Sequence, residues 1–325
     1  MLVYLIRRLG QAALVVATMA VLVFVSMYTI GDPLEVLVPQ DATDADRAKI
    51  AAQFGLDQPL HVQFFSFAAN ALKGDLGNSF VHGRPAVDVI LERFPATLEL
   101  AVTALVLCVV IGVPMGLYAG LRPKSLLARG LMTSTVLGFS LPNFWIGLML
   151  IFVFAVQLQW LPAGARGPTE EIFGVRLAIT SWDGLKHLLM PAFVISLYNI
   201  ALVARLVRAG TLETLRNDYI RFARAKGLSE TRIMGVHLLK NIMIPVVTVL
   251  GLEFGNMIAF AVVTESVFSY PGIGKLLIDS ITRLDRPVIV AYLMLTVLLF
   301  VLINLVVDLA YAALDPRVRI GGASE

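Results

Sequence analysis

The sequence predicts an all-α, polytopic membrane protein with six transmembrane helices and cytoplasmic N- and C-termini. Three observations predict it. Of 325 residues, 58% are hydrophobic and only 15% charged, against about 45–50% and about 25% in soluble domains. One globular core cannot absorb that excess, because a soluble surface needs charge. Six stretches, 9–30, 98–121, 131–158, 187–208, 242–266 and 287–313, are apolar over the roughly 20 residues that cross about 30 Å of hydrocarbon. Lys and Arg are spread unevenly over the segments between them, which gives the chain an inside and an outside. The same composition excludes an ordinary soluble enzyme, a disordered chain and a disulfide scaffold. A net charge of +3 is too small to suggest nucleic acid. Cys108 is the only cysteine, so no intrachain disulfide or Cys-based zinc site can form.

The first span, from Leu9 to Ile30, is too long for a signal-peptide core. No small-residue cleavage pattern follows it, since the chain continues into Gly31, Asp32 and Pro33. It reads as a retained anchor. Residues 31–97 then form a segment too long to be a connector. Within it, Pro59 to Leu72 reads as a short amphipathic helix stopped by Gly74. Its Phe64, Phe65, Phe67, Ala68 and Leu72 are placed to pack on the bundle or to meet a partner. Pro114, Pro142 and Pro191 fall inside spans, where freed carbonyls must be satisfied by neighbours or water. The third span is long enough to tilt or to break at Pro142. Two domains are expected: 1–97, the first helix plus an extracytoplasmic segment, and 98–325, a core of five spans with an inner loop at 205–241.

Charge fixes the orientation. The 122–130 loop carries Arg122, Lys124 and Arg129 without an acid, and 205–241 carries eight basic and three acidic residues, a net +5. Residues 31–97 hold five basic and nine acidic residues, a net −4. The basic side is the cytoplasm.

Catalytic chemistry is not visible. The stretch SYPGIGKLL (269–277) has Ser269 where a P-loop needs its first glycine, and Leu276 where it needs a hydroxyl for magnesium. It also lies outside on this topology. His61, His82, His187 and His237 are scattered without metal-ligand spacing, and no G-x-S-x-G elbow occurs. Acids within spans are functional candidates by default. Glu99, Glu265 and Asp308 lie near span ends and are expected to reach the interface. Glu253 lies about ten residues into span five, too deep to snorkel. It is expected to face a wet cavity or a polar partner such as Asn256 or Asn304.

The most informative segment is NDYIRFARAKGLSETRIMGVHLLKNIMIPVVTVLG (217–251). Tyr219 to Lys226 reads as a short basic helix ended by Gly227 in a left-handed cap. Ser229 can N-cap a second helix from Glu230, which Lys240 and Asn241 close before Pro245 opens the next span. The plain reading is a basic connector hugging anionic lipid. The sharper one is a docking plate, because Ala223, Ala225 and Gly227 let another protein approach closely.

This segment resembles the coupling loop of ABC importer permeases, and more narrowly that of the dipeptide/oligopeptide/nickel (binding-protein-dependent) family's first, B-type, permease. GLDQPLHVQFFSFAANALKGDLGNSF (55–80) with RFPATLEL (93–100), VVTESVFSYPGIGKLL (262–277) and INLVVDLAYAALDPRVR (303–319) resemble that family's outer, fifth-span and C-terminal segments. The generic motif begins Glu-Ala-Ala; here Arg221, Phe222 and Ala223 stand there, as in the peptide subfamily. The resemblance implies a type I importer permease fold in the bacterial cytoplasmic (inner) membrane. It implies half of a pathway for a small solute, most readily di- or oligopeptides. The implied partners are a homologous second permease, two cytoplasmic ABC ATPases, an extracytoplasmic solute-binding protein and the lipid bilayer. No cofactor is implied on this chain, ATP and magnesium residing on the ATPases. Asp218, Arg221, Ala223, Ala225, Lys226, Gly227 and Leu228 are the implied ATPase contact, while Glu253, Asn256 and Asn304 are candidate pathway residues. The alternative is a stand-alone secondary transporter or channel, which the lone deep carboxylate and the lack of visible repeats disfavour.

Overall fold

The computed structural model describes residues 2–29, 43–53 and 57–314. The run through Gly31, Asp32 and Pro33 and the end of the C-terminal segment, 315–319, lie outside the described residues. Along the chain come α1 (Leu2–Thr29), α2 (Asp44–Gln53), α3 (Leu60–Leu72), α4 (Ala86–Leu107), α5 (Val113–Leu121), α6 (Leu126–Ser140) and α7 (Asn143–Leu150). A short antiparallel hairpin follows, β1 (Glu170–Ile172) with β2 (Val175–Leu177), Glu170 opposite Leu177. Then come α8 (Trp182–Thr214), α9 (Asp218–Ala225), α10 (Glu230–Arg232), α11 (Leu239–Ala259), α12 (Ala261–Val267), α13 (Ile273–Thr282) and α14 (Arg286–Leu314).

Among the described residues, five helical stretches are long and apolar enough to cross a membrane: Ile6–Ser26, Ala86–Leu121, Trp182–Thr214, Glu230–Ala259 and Arg286–Asp308. The expected third span is two helices instead of one. Leu141, before Pro142, is extended at φ −99, ψ 136, because the proline ring excludes the helical conformation from its predecessor. Asn143–Gln157 is thus a shorter apolar helix of its own. Pro114 is accommodated differently. A π-helical turn at Cys108–Gly112 precedes it, and the helix continues into α5.

The chain divides into two compact units. One comprises the described parts of Met1–Phe94 with Leu276–Leu302. In it α3 rests on α1, Phe64 and Phe67 closing on Phe24 at 5.3 and 6.1 Å between ring centroids. Phe65 and Leu72 are exposed on α3's other face. The loop after α3 is tied to the buried Asp285, whose carboxylate accepts from Ser79 Oγ at 2.5 Å and from the Phe80 amide at 3.0 Å.

The other unit, Pro95–Lys275 with the described part of Ile303–Arg319, is organised around α8. Helices α5, α6 and α11 all pack on it. Lipid tails are as apolar as leucine, so close approach must supply much of the association in a bilayer. Gly112, Gly116 and Gly120 provide it at four-residue spacing. A β-carbon at Gly116 would lie 2.4 Å from the Ala204 carbonyl oxygen, and one at Gly120 would lie 2.5 Å from Thr211 Cβ.

Candidate functional site

The basic segment forms a docked helix, not a loose connector. Helix α9 buries Ile220 and Ala223 against Ile233, with Leu228 packed alongside. Its end is a Schellman cap: the Gly227 amide donates to Arg224 O at 2.9 Å, and the Leu228 amide donates to Ala223 O at 3.2 Å. Gly227 takes the left-handed φ of +77 that this cap needs. Ser229 stands at the N-cap of the next helix without a side-chain cap bond. There Glu230 instead receives Arg224, Nε to Oε1 at 2.7 Å.

One expectation fails here. The second helix does not close at Lys240 and Asn241; Glu230–Ala259 runs as one stretch, through a π-helical turn at Ile233–Leu238, with Pro245 inside it. Asn241 has another task, donating from Nδ2 to the Tyr219 hydroxyl at 2.7 Å and to His237 O at 2.9 Å. It thereby pins α9 to the base of that helix. Asp218, Arg221, Ala225, Lys226 and Gly227 are exposed and Leu228 is half-buried. Ala223, at 6% exposure, faces the chain's own cluster. Phe222, which composition did not single out, is 60% exposed with the Lys226 ammonium 4.6 Å from its ring centroid.

Two of the three acids expected at the interface, Glu99 and Glu265, are buried, while Asp308 is half-buried. Glu265, fully shielded, accepts from Thr97 Oγ1 at 2.6 Å and from the Lys275 amide at 2.9 Å, while Thr97 Oγ1 accepts the Ile273 amide at 2.9 Å. The glycine-rich stretch that fails as a P-loop thus turns its amides onto side chains of its own unit. Glu99 pairs with Arg166 at 2.9 Å and receives the Ile179 amide and, at 3.4 Å, the Tyr270 hydroxyl. Burial, with the Glu99 carboxylate next in effect, raises the Tyr270 phenol's pKa, which keeps it a proton donor. Arg166 carries no sequence pattern that would have found it, and Thr97, although within the RFPATLEL stretch, is not marked there as a partner of Glu265.

Glu253 and Asn256, three apart on α11, share one helix face and line a cavity of about 350 Å³. Asn143 at the start of α7, and Tyr198 and Asn199 on α8, complete its polar wall, while Phe260 is among its apolar lining. Asn304 lies elsewhere, on α14. It is one turn from Val307, whose side chain approaches Gly251. Among the described residues no cluster of His, Cys, Asp or Glu could hold a metal.

Comparison with known proteins now decides the family. Residues 112–320 match the family described as binding-protein-dependent transport system inner membrane component. Residues 1–101 match the corresponding N-terminal family. The chain belongs to this family. It is a permease subunit of the ABC-importer type in the inner membrane, and ATP hydrolysis is the work of separate subunits. This permease is 40% identical over 333 residues to the di/tripeptide transport system permease protein DppB of Pseudomonas aeruginosa (strain UCBPP-PA14), covering 98% of this chain and 99% of that one. It is 36% identical to the oligopeptide transport system permease protein AppB of Bacillus subtilis (strain 168), covering 98% and 100%. Among solved structures, one of inward-facing conformations of the MetNI methionine ABC transporter aligns at a TM-score of 0.51 and 17% identity, over 70% of this permease and 96% of that chain. That likeness establishes the type I importer permease fold.

Proposed function

We propose that this permease forms half of the pathway through which di- and oligopeptides enter the cell. The near-full-length similarity to a di/tripeptide permease at 40% identity carries the reading. A homologous second permease completes the pathway, two cytoplasmic ATPases drive it, and an extracytoplasmic binding protein delivers the cargo. Residues 1–97 are the N-terminal helix and extracytoplasmic segment, and 98–325 are the permease core. Both termini are cytoplasmic, as is the net +5 segment at 205–241.

On this reading α9 is the ATPase-docking helix. Its exposed Asp218, Arg221, Ala225, Lys226 and Gly227 meet the ATPase, joined by Phe222. Ala223 and Leu228 anchor α9 from beneath. Closure of the ATPase dimer moves α9, and the helix starting at Glu230 moves with it. Turning a 1:99 conformational ratio into 99:1 takes about 5.5 kcal/mol of differential affinity. Glu253 and Asn256 meet the passing solute in the cavity, and Asn304 joins the pathway from α14.

The test is reconstitution of the permease with a second permease, the two ATPases and the binding protein. Uptake of radiolabelled Ala-Ala into proteoliposomes is expected to require ATP, the ATPases and loaded binding protein together. Uptake by this chain alone would make it a secondary transporter.

A further inference from the structure

Asn199 is only 4% exposed, and its Oδ1 has no hydrogen-bond partner among the described residues. A buried amide oxygen left unpaired is uncommon in native proteins and asks for an explanation. Asn199 lies on α8 in the wall of the cavity of about 350 Å³, with Tyr198, Asn143, Asn256 and Glu253. That volume falls in the range of small-solute sites. Glu253 brings a carboxylate to this wall, and no Lys, Arg or His lines the cavity. A carboxylate within a span is costly unless it meets a cation or water. The wall thus presents a negative charge and an open acceptor without a cation of its own.

We infer that this cavity is a contact site for an ammonium group of the transported solute, Glu253 supplying the counter-charge and Asn199 Oδ1 a hydrogen-bond acceptor. The inference deepens the peptide reading and rests on it: a peptide's α-amino end is the ammonium, and its amide bonds find the Asn143 and Asn256 side chains. The sequence points to Glu253 by depth alone. Asn199 enters only because α8 carries it to the same wall.

Charge-selective thiol labelling tests this in the complete reconstituted transporter. Cys108→Ser removes this chain's only native thiol. Asn256→Cys, or Asn143→Cys should the first fail to assemble, places a new thiol in the wall. The thiolate attacks the methanethiosulfonate sulfur, forming a disulfide and releasing methanesulfinate. Relative to free cysteine, the cationic aminoethyl reagent is expected to gain at least 10-fold over the anionic sulfonatoethyl reagent. Glu253→Gln should abolish that gain. Separately, Asn199→Leu should lower Ala-Ala uptake about 10-fold at saturating loaded binding protein, and Asn199→Asp, which keeps an acceptor, should recover most of it. The inference is overturned if neither reagent reacts, if the charge preference is absent or survives Glu253→Gln, or if Asn199→Leu transports normally. If the wild-type transporter takes up no peptide but the labelling preference holds, the peptide reading fails. The ammonium site then stands for another cationic solute.

Discussion

Replacing Gly227 with valine separates the shape of the α9 cap from its charge. Gly227 sits at φ +77, and a β-carbon added there meets nothing within 4 Å. The cost is therefore in the backbone, not in a clash. The left-handed conformation costs an ordinary L-residue about 1–2 kcal/mol, and a β-branched one more. If the chain escapes by unwinding, it loses the Gly227–Arg224 and Leu228–Ala223 bonds, roughly 1 kcal/mol each. Either route weakens the docked form of α9 by about 2 kcal/mol, close to 30-fold in its population. The assay is peptide taken up per ATP hydrolysed in proteoliposomes, with assembly checked by size exclusion. Gly227→Val should lower that ratio about 10-fold or more, while Gly227→Asn, which tolerates the left-handed region, should stay within about 3-fold of wild type. Gly227→Asp should keep the cap yet uncouple hydrolysis from uptake by adding an acid to the docking face. An intact Gly227→Val complex with a normal ratio, or an asparagine variant as impaired as valine, would refute the argument.

Three further outcomes concern the bundle. Gly116→Leu should abolish stable assembly, because its β-carbon meets the Ala204 backbone at 2.4 Å, whereas Gly130→Ala, with open space around it, should be silent; yield of folded permease in detergent decides. Arg166→Ala strands the buried Glu99 carboxylate and should cost about 3–5 kcal/mol, while Arg166→Met with Glu99→Leu should recover much of the loss, as read by thermal unfolding of the solubilised complex. Glu265→Ala removes the carboxylate that the Thr97 hydroxyl and the Lys275 amide donate to and should cost about 2–4 kcal/mol in the same assay; an unchanged midpoint would remove Glu265 from the framework.

Hydropathy found five of the six expected spans as long apolar helices among the described residues, because a bilayer demands length and apolarity of every crossing segment. The cap at Gly227 was equally readable, since few residues other than glycine end a helix that way. Two features were not readable for the same physical reason. At Pro142 the sequence left a tilt or a break open, and at Pro245 it placed the start of a span; the helix breaks at Pro142, whereas Pro245 is absorbed inside one. Local propensity does not say which proline its neighbours will tolerate. Glu99 and Glu265 looked interfacial because one-dimensional depth ignores partners such as Arg166 and Thr97, distant in sequence. The cavity shows both sides: Glu253 was visible as an anomalous charge, whereas Asn199 is an unremarkable amide until its oxygen is found unpaired. The glycine triplet at 112, 116 and 120 was available as a four-residue repeat to a search for small-residue stripes.

The uninterrupted run from Glu230 to Ala259 has a mechanical consequence. At about 1.5 Å per residue, Glu253 lies roughly 35 Å from Glu230 along the axis, near the whole thickness of a bilayer's hydrocarbon. If that run moves as one body, a swing of about 10° at its foot sweeps its far end through about 6 Å. The acid in the cavity and the footing of α9 are thus opposite ends of one crank. If the cavity receives cargo and α9 docks the ATPase, as proposed, thermodynamic reciprocity links the two: cargo in the cavity then biases the ATPase's grip by as much as the ATPase biases the cargo's.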